Sequence, residues 1–326
     1  MRLLVTADLH LTDNPRDEYR WEFMDEFAEI ARNRKLDRIV ILGDLTEEKD
    51  NHGARLVNRM ARLLYRLGEI CPVFIMMGNH DYHNEGHPFF AFVDLIPSLI
   101  WVDHVKEHRL MPGCLFLPHT RNYKKDWANV KLTGHQWVFA HNTFTGAEIG
   151  FGRGLEGIPL DVFPETIRVV AGDVHKPQRL GPVTYVGPPY TVDYGDDYRA
   201  RLLLLEHDKA KSVIVDGYPQ KRLIEVALLA ELDGASKHVN AGDIVQVRVT
   251  VESMERWKEA HDYVIEWCSK RSLIANLIKP VLMSKRKVKR YKVTSKADDL
   301  ELLEQYGKRH DLTNNTLNVG KALCDE

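Results

Sequence analysis

The sequence predicts an α/β protein in two parts, a large layered domain followed by a small α+β domain. Short runs rich in Val, Ile and Leu recur through the first two-thirds of the chain, as buried strands of a layered domain do. Stretches with apolar residues at helical spacing separate the first of them, which implies crossover connections and a largely parallel sheet. After Gly195 the texture changes to alternating patterns and hairpin signals.

The expected strands of the first part are Leu3–Ala7, Arg38–Leu42, Val73–Met77, Trp137–Ala140 and Ile167–Ala171. Tyr19–Asn33 places Phe23, Phe27, Ile30 and Ala31 at helical spacing, and Arg55–Leu67 puts Leu56, Met60, Leu63, Leu64 and Leu67 on one face. Arg201–Glu206 and Ser212–Asp216 read as a hairpin around HDKAK, and Gly217-Tyr218-Pro219 as a linker. Ile244–Val251 alternates like a half-buried strand, Met254–Ser269 follows as a helix, and Leu277–Leu282 reads as another strand. The expected organisation is 1–217, 218–296 and a C-terminal helix and tail, 297–326.

The chain has 326 residues and a net charge of −2, so overall charge does not announce a polyanionic partner and a local basic patch would have to do so. Cys71, Cys114, Cys268 and Cys324 lie far apart with no metal-finger spacing, which suits reduced thiols in a cytoplasm. The opening MRLLVTADLH is too short and too charged for a secretion signal. No apolar run approaches the ~18–20 residues needed to cross a bilayer.

The residues after the five strands carry the chemistry. They are Asp8 and His10, Gly43-Asp44, Gly78-Asn79-His80-Asp81, His141-Asn142, and Gly172-Asp173 with His175. Taken singly, each is a turn or helix-capping residue. Jointly the bland reading needs the same coincidence at five strand ends, and strand C-termini are where ligands bind in such sheets. Carboxylates, an amide oxygen and imidazoles suit Mn²⁺, Fe²⁺, Zn²⁺ or Mg²⁺. Seven ligands exceed one tetrahedral ion and fit two ions sharing a carboxylate, the arrangement of phosphoester hydrolysis.

This set of D-x-H, GD, GNHD, a lone His after a strand and G-x-x-H resembles the calcineurin-like metallophosphoesterases across residues 1–175. Within them GDVHKPQ and YVGPPYTVDYGD (185–196) look like the corresponding segments of SbcD-type DNA repair nucleases. The resemblance implies a layered β-sandwich core flanked by helices, with the small α+β domain capping DNA. It implies that Asp8, His10, Asp44 and His175 hold one metal, and that Asp44, Asn79, His141 and Asp173 hold the second. His80 would protonate the leaving oxygen, with Asp81 orienting it. Mn²⁺ is the expected ion, with Mg²⁺ next. The family has histidine where Asp173 stands. Aspartate either ligates through oxygen, favouring Mn²⁺ or Mg²⁺ over Zn²⁺, or has lost contact and leaves a weak second site.

Residues 284–293, SKRKVKRYKV, carry six positive charges. Lys285, Arg286, Lys287, Lys289 and Arg290 either contact DNA phosphates or form a solvated strand edge. His52 in EEKDNHG contacts phosphate or only fills its loop, and His119 reads as structural. HPFFAFVDLIPSLIW reads as a core helix, and by resemblance Phe89, Phe90, Phe92 and Leu95 are candidates for a homodimer face. No G-x-x-x-x-G-K-[ST] occurs, so the resemblance implies an SbcC-like P-loop ATPase supplied in trans, with Leu300, Leu303 and Tyr306 of the tail as its docking face. The expected function is metal-dependent DNA hydrolysis, exonucleolytic, endonucleolytic or both. The alternatives are a small-molecule phosphoesterase and a DNA-end-binding subunit with a degenerate site.

Overall fold

Alternating side chains on the first strand divide the architecture. In a computed structural model, which describes residues 1–149 and 152–282, β1 (Arg2–Thr6) sends Leu4 into one apolar cluster and Leu3 and Val5 into another, as period-two geometry requires. The first cluster is covered by α1 (Glu18–Asn33) and α2 (Ala54–Gly68), through Phe23, Phe27 and Ala31 and through Leu56, Met60, Leu63 and Leu67. The second lies between two sheets.

Between the helices runs β2 (Arg38–Ile41), followed after α2 by β3 (Val73–Met76), β4 (Leu99–Val102), β5 (Lys106–Glu107) and β6 (Cys114–Leu117). A one-turn α3 (Tyr123–Asp126), β7 (Trp137–His141), a ribbon of β8 (Glu148–Ile149) and β9 (Arg153–Gly154), then β10 (Val169–Gly172), β11 (Gln178–Leu180) and β12 (Val183–Tyr185) complete the middle of the chain. The hairpin of β13 (Arg201–Glu206) and β14 (Lys209–Ile214) returns to β1.

One sheet has the order β14-β13-β1-β2-β3-β4, parallel from β1 to β4, and the other β11-β12-β10-β7-β6-β5. Phe74 stacks on Phe116 at 5.3 Å between ring centroids, and Phe116 on Phe139 at 5.2 Å, filling the sandwich. The five strands that carry the polar ends therefore divide between two sheets rather than lying in one. β1, β2 and β3 belong to the first; β7 and β10 are parallel neighbours in the second.

After the sandwich come β15 (Lys221–Val226), a short α4 (Leu232–Ala235), β16 (Ile244–Val251), α5 (Met254–Lys270) and β17 (Ile274–Leu282). They form a three-stranded sheet, β15-β16-β17, with its own apolar cluster around Val247, Val264 and Trp267. Lys221 N donates to Thr191 Oγ1 at 2.7 Å, and Arg16 donates to the Asn276 carbonyl at 3.3 Å, so this sheet touches the loops of the sandwich.

Several elements differ from the sequence reading. Residues 89–95 form a 3-10 helix, not an extended core helix, and β4 follows at once. Phe90 is buried and Phe89 half-buried, while Phe92 and Leu95 are 37% and 86% exposed, so Phe90 has no surface to offer a second copy. The hairpin turn is the pair His207-Asp208, with His207 at φ 56°, so that β14 starts three residues and ends two residues earlier than expected. The basic stretch with Lys285, Arg286, Lys287, Lys289 and Arg290, and the tail with Leu300, Leu303 and Tyr306, lie outside the described residues. Among the described residues no helix is long and apolar enough to cross a membrane.

Candidate metal centre

The loops leaving β1 and β2 stay laddered beyond their sheet. Asp8 N donates to the Gly43 carbonyl at 3.2 Å, His10 N to Asp44 O at 2.9 Å, and Leu11 N to Leu45 O at 3.0 Å. The side chains are turned by the backbone. Asp8 (φ 53°), His10 (φ 43°), Asp44 (φ 53°) and Asp173 (φ 82°) all sit in the left-handed region. Non-glycine residues avoid this region, and a group of them marks a place where strain is tolerated for function. Two glycines allow the close packing. A Cβ on Gly172 would stand 2.7 Å from the Leu42 carbonyl and 2.9 Å from His141 Nδ1; one on Gly78 would meet Asp44 N at 2.6 Å.

These loops bring Asp8, His10, Asp44, Asn79, His80, His141, Asp173 and His175 together. The two oxygens of Asp44 reach two different histidines, His141 Nε2 and His10 Nε2, each at 3.5 Å. His10 Nε2 and His175 Nε2 face each other at 3.3 Å. One heteroatom of the Asn79 amide lies 2.9 Å from His141 Nε2 and 3.1–3.3 Å from oxygens of Asp44 and Asp173. As oxygen, this atom faces only acceptors. Asp8 Oδ1 accepts from Asp173 N at 2.9 Å, while its buried Oδ2 has no hydrogen-bond partner among the described residues. Buried lone pairs left this way are costly, and a cation satisfies them. The donor set thus fits divalent metal.

Electrostatics agree. Burial disfavours charge on Asp8, His10, Asp44 and His141, yet the charge of His141, with its hydrogen bond and with His10, holds the Asp44 carboxyl well below its usual range. His141 is raised in turn, against its burial, by Asp44, Asp8 and Asp173. Burial, aided by Asp44, raises Asp8. A metal ion would replace the protons that such histidines hold.

Asp173 keeps one oxygen toward this cluster. Thr143 donates to its Oδ2 at 2.6 Å, and its Oδ1 lies 3.9 Å from His141 Nε2. His141 Nδ1 donates to the Leu42 carbonyl, which leaves Nε2 as the nitrogen facing Asp44 and Asn79.

Asp81 does not orient His80. Its wholly buried carboxylate accepts from the backbone N–H groups of Gly78, Asp44 and Leu45 at 2.7, 2.8 and 2.9 Å, so it ties the β2 and β3 loops together. Burial and the neighbouring Asp44 push its pKa up to about 6. The Nδ1 of His80 instead donates to the Glu47 carbonyl at 2.8 Å. His52 Nε2 donates to Thr46 Oγ1 at 2.8 Å, and its ring lies against Phe89 with centroids 4.1 Å apart, which makes it a loop brace. His119 pairs with the Tyr82 hydroxyl at 2.7 Å, and burial with the nearby His141 lowers its pKa to about 4.

Three contributors escaped the sequence reading. Glu47 Oε2 lies 2.9 Å from His10 Nδ1, a contact bent from ideal hydrogen-bond alignment; the hydrogen bond and charge of His10 lower the Glu47 pKa to about 2. Buried Arg20, on α1, donates to the His10 carbonyl. Tyr190 donates to the Leu9 carbonyl. Arg20 falls at a buried position of an apolar helix stripe, the one visible signal; the others look like ordinary loop residues.

Residues 1–177 match the family described as Calcineurin-like phosphoesterase. A "Putative phosphoesterase 244L" of Invertebrate iridescent virus 6 is 26% identical over 225 residues, covering 63% of this chain and 75% of that protein. A "Putative phosphoesterase 078R" of Invertebrate iridescent virus 3 is 27% identical over 178 residues, 48% of this chain and 50% of its own length. With the family match spanning more than half of the chain and a strand-end cluster fitted to divalent metal, this protein belongs to the calcineurin-like phosphoesterases, hydrolases of phosphoester bonds that bind two divalent metals.

Proposed function

We propose that this chain hydrolyses DNA phosphodiesters, as the nuclease subunit of an SbcCD-like repair complex with a P-loop ATPase partner. The observation that carries the catalytic part is the convergence of donor atoms at one place, with Asn79 beside Asp44, Asp173 and His141, and Asp8 Oδ2 buried without a partner among the described residues. Asp8, His10, Asp44 and His175 would hold one ion, and Asp44, Asn79, His141 and Asp173 the other, with Mn²⁺ the preferred ion. When bound, the pair would supply Lewis acidity to the phosphate and lower the pKa of a bound water.

His80 supplies the proton. Its Nδ1 is committed to the Glu47 carbonyl, so Nε2 is the nitrogen that donates to the leaving oxygen as the P–O bond breaks and water takes its place on phosphorus. The basic stretch 284–293 follows β17 directly in sequence, which supports a polyanionic substrate.

A cavity of about 510 Å³ favours a second reading, a phosphoesterase for a small substrate. Its walls carry Asp13, Asp17, Glu47, Glu48 and Asp193 against only Arg20 and Lys221, an acidic lining that repels a polyanion. The purified chain should be assayed on single- and double-stranded oligonucleotides and on bis-p-nitrophenyl phosphate, with Mn²⁺, Mg²⁺ and Zn²⁺ in turn. DNA cleavage, and inhibition of diester turnover by duplex DNA, are expected. Turnover of the small diester with no effect of DNA would transfer the assignment to the second reading.

A further inference from the structure

The geometry points to Glu47 as a positioning residue that fixes two histidines at once, His10 through its carboxylate and His80 through its carbonyl. This rests on the proposed roles of those histidines. A carboxylate half exposed to solvent contributes little when its partner is also exposed, which would make Glu47 incidental. Its partner is not exposed. The Glu47 side chain is 47% exposed, but the His10 side chain is only 4% exposed.

Both contacts fall on Nδ1, at 2.9 Å to His10 and 2.8 Å to His80. The Nε2 atoms are thereby left for other work. In His10, Nε2 faces Asp44 and His175 at 3.5 and 3.3 Å. The His10 and His80 rings meet edge to face with centroids 4.7 Å apart, so neither can turn without displacing the other. The intervening peptide is braced as well. Glu47 N donates to the Leu11 carbonyl at 3.3 Å, and Thr46 Oγ1 donates to the Glu48 carbonyl at 2.9 Å. A carboxylate on the far nitrogen of a metal-binding histidine fixes its tautomer and raises its donor strength. A carbonyl on the far nitrogen of an acid accepts from the ring in both charge states, so proton exchange is confined to Nε2. The carboxylate anchors the same loop that presents the carbonyl, and loss of the first should loosen the second.

The test compares wild type with Glu47→Gln and Glu47→Ala. In the metal-free protein, at a pH high enough that both rings are neutral, ¹⁵N-histidine spectra should show His10 and His80 as single Nδ1–H tautomers in wild type and as tautomer mixtures in Glu47→Ala. Metal affinity should fall about 10–100-fold in Glu47→Ala, the usual effect of losing such a partner, and partly recover in Glu47→Gln. With metal saturating, Glu47→Ala should lose kcat, not KM, and lose more on an alkyl phosphodiester than on bis-p-nitrophenyl phosphate, whose leaving group needs no proton. Unchanged tautomers, or equal losses on both substrates, would overturn the positioning role. A wild type inactive on both diesters would instead defeat the proposed function, and the spectra would still decide the place of Glu47.

Discussion

His141 and His10 reach the two oxygens of one carboxylate, Asp44, at the same 3.5 Å, yet they are held in different ways. His141 is wholly buried, and its far nitrogen donates to the Leu42 carbonyl at the end of β2. His10 has its far nitrogen on the half-exposed Glu47 carboxylate. His175, beside His10, faces Asp193 and Asp196 at 3.6 and 3.8 Å, of which Asp193 is exposed. A carbonyl next to a sheet can neither titrate nor swing, whereas a side-chain carboxylate on a loop can do both. The His141 half of the rim is therefore built as part of the sandwich, and the His10 half as part of its loops. The first should keep its ion and the second exchange it.

The largest effect is expected where the halves meet. Asp44→Ala removes the group that both histidines face, so both ions should be lost and hydrolysis should fall to background. Metal content by mass spectrometry decides this; one ion retained at full occupancy would show that Asp44 serves a single half. Asp173→Ala acts on the His141 half alone. Content should drop from two ions toward one with hydrolysis largely lost, because the phosphate loses one side of its clamp. Asp173→His should keep two ions and shift preference toward Zn²⁺ over Mg²⁺, since imidazole is the softer donor. Two ions and normal cleavage in Asp173→Ala would make Asp173 a loop residue.

His80→Asn tests a residue that serves neither half as a ligand. The rate should fall by about 10²–10⁴, the usual worth of general acid catalysis, with both ions retained. Loss of an ion in that variant would move His80 into the ligand set.

The same division explains what the sequence disclosed. The His141 half was legible because each member follows a β-strand whose apolar run can be read locally, and glycines mark the sharp exits at Gly43, Gly78 and Gly172. The supports of the His10 half were not. Arg20 lies ten residues from His10 and Tyr190 as many as 181 from Leu9, and no local pattern announces a hydrogen bond to a distant loop carbonyl. Asp81 misled for the opposite reason. Adjacency to His80 suggested partnership, but one residue along a turn points the carboxylate inward, to three backbone N–H groups. The apolar runs alone do not say which strands share a sheet: β3 and β10 are both buried four-residue runs, yet they lie in different sheets.

The smallest effect, a shift in thermal stability with pH, also separates the halves. Against their burial, His10 and His141 both have pKa values raised above the ordinary imidazole, His10 by Glu47 first and then Asp44, His141 strongly by Asp44, Asp8 and Asp173. A histidine raised on folding stabilises fully below its unfolded pKa of about 6.5, and that contribution is lost as pH rises through the folded value. Asp44, lowered on folding, contributes above its unfolded value and loses its contribution only in strong acid, so it is silent near neutrality. The metal-free protein should therefore lose Tm as pH rises above about 6.5. Metal works in the other direction, since an ion on Nε2 displaces the proton, and its binding tightens about tenfold per pH unit for each proton released. The gain in Tm on adding saturating Mn²⁺ should accordingly widen as pH rises. The widening belongs mainly to the His141 half, where the pKa is raised further. Calorimetry of metal-free and loaded protein across this range reads the difference directly, and His141→Ala should flatten it more than His10→Ala. A gain that is constant with pH, or one flattened equally by both substitutions, would mean that the two halves hold their histidines alike after all.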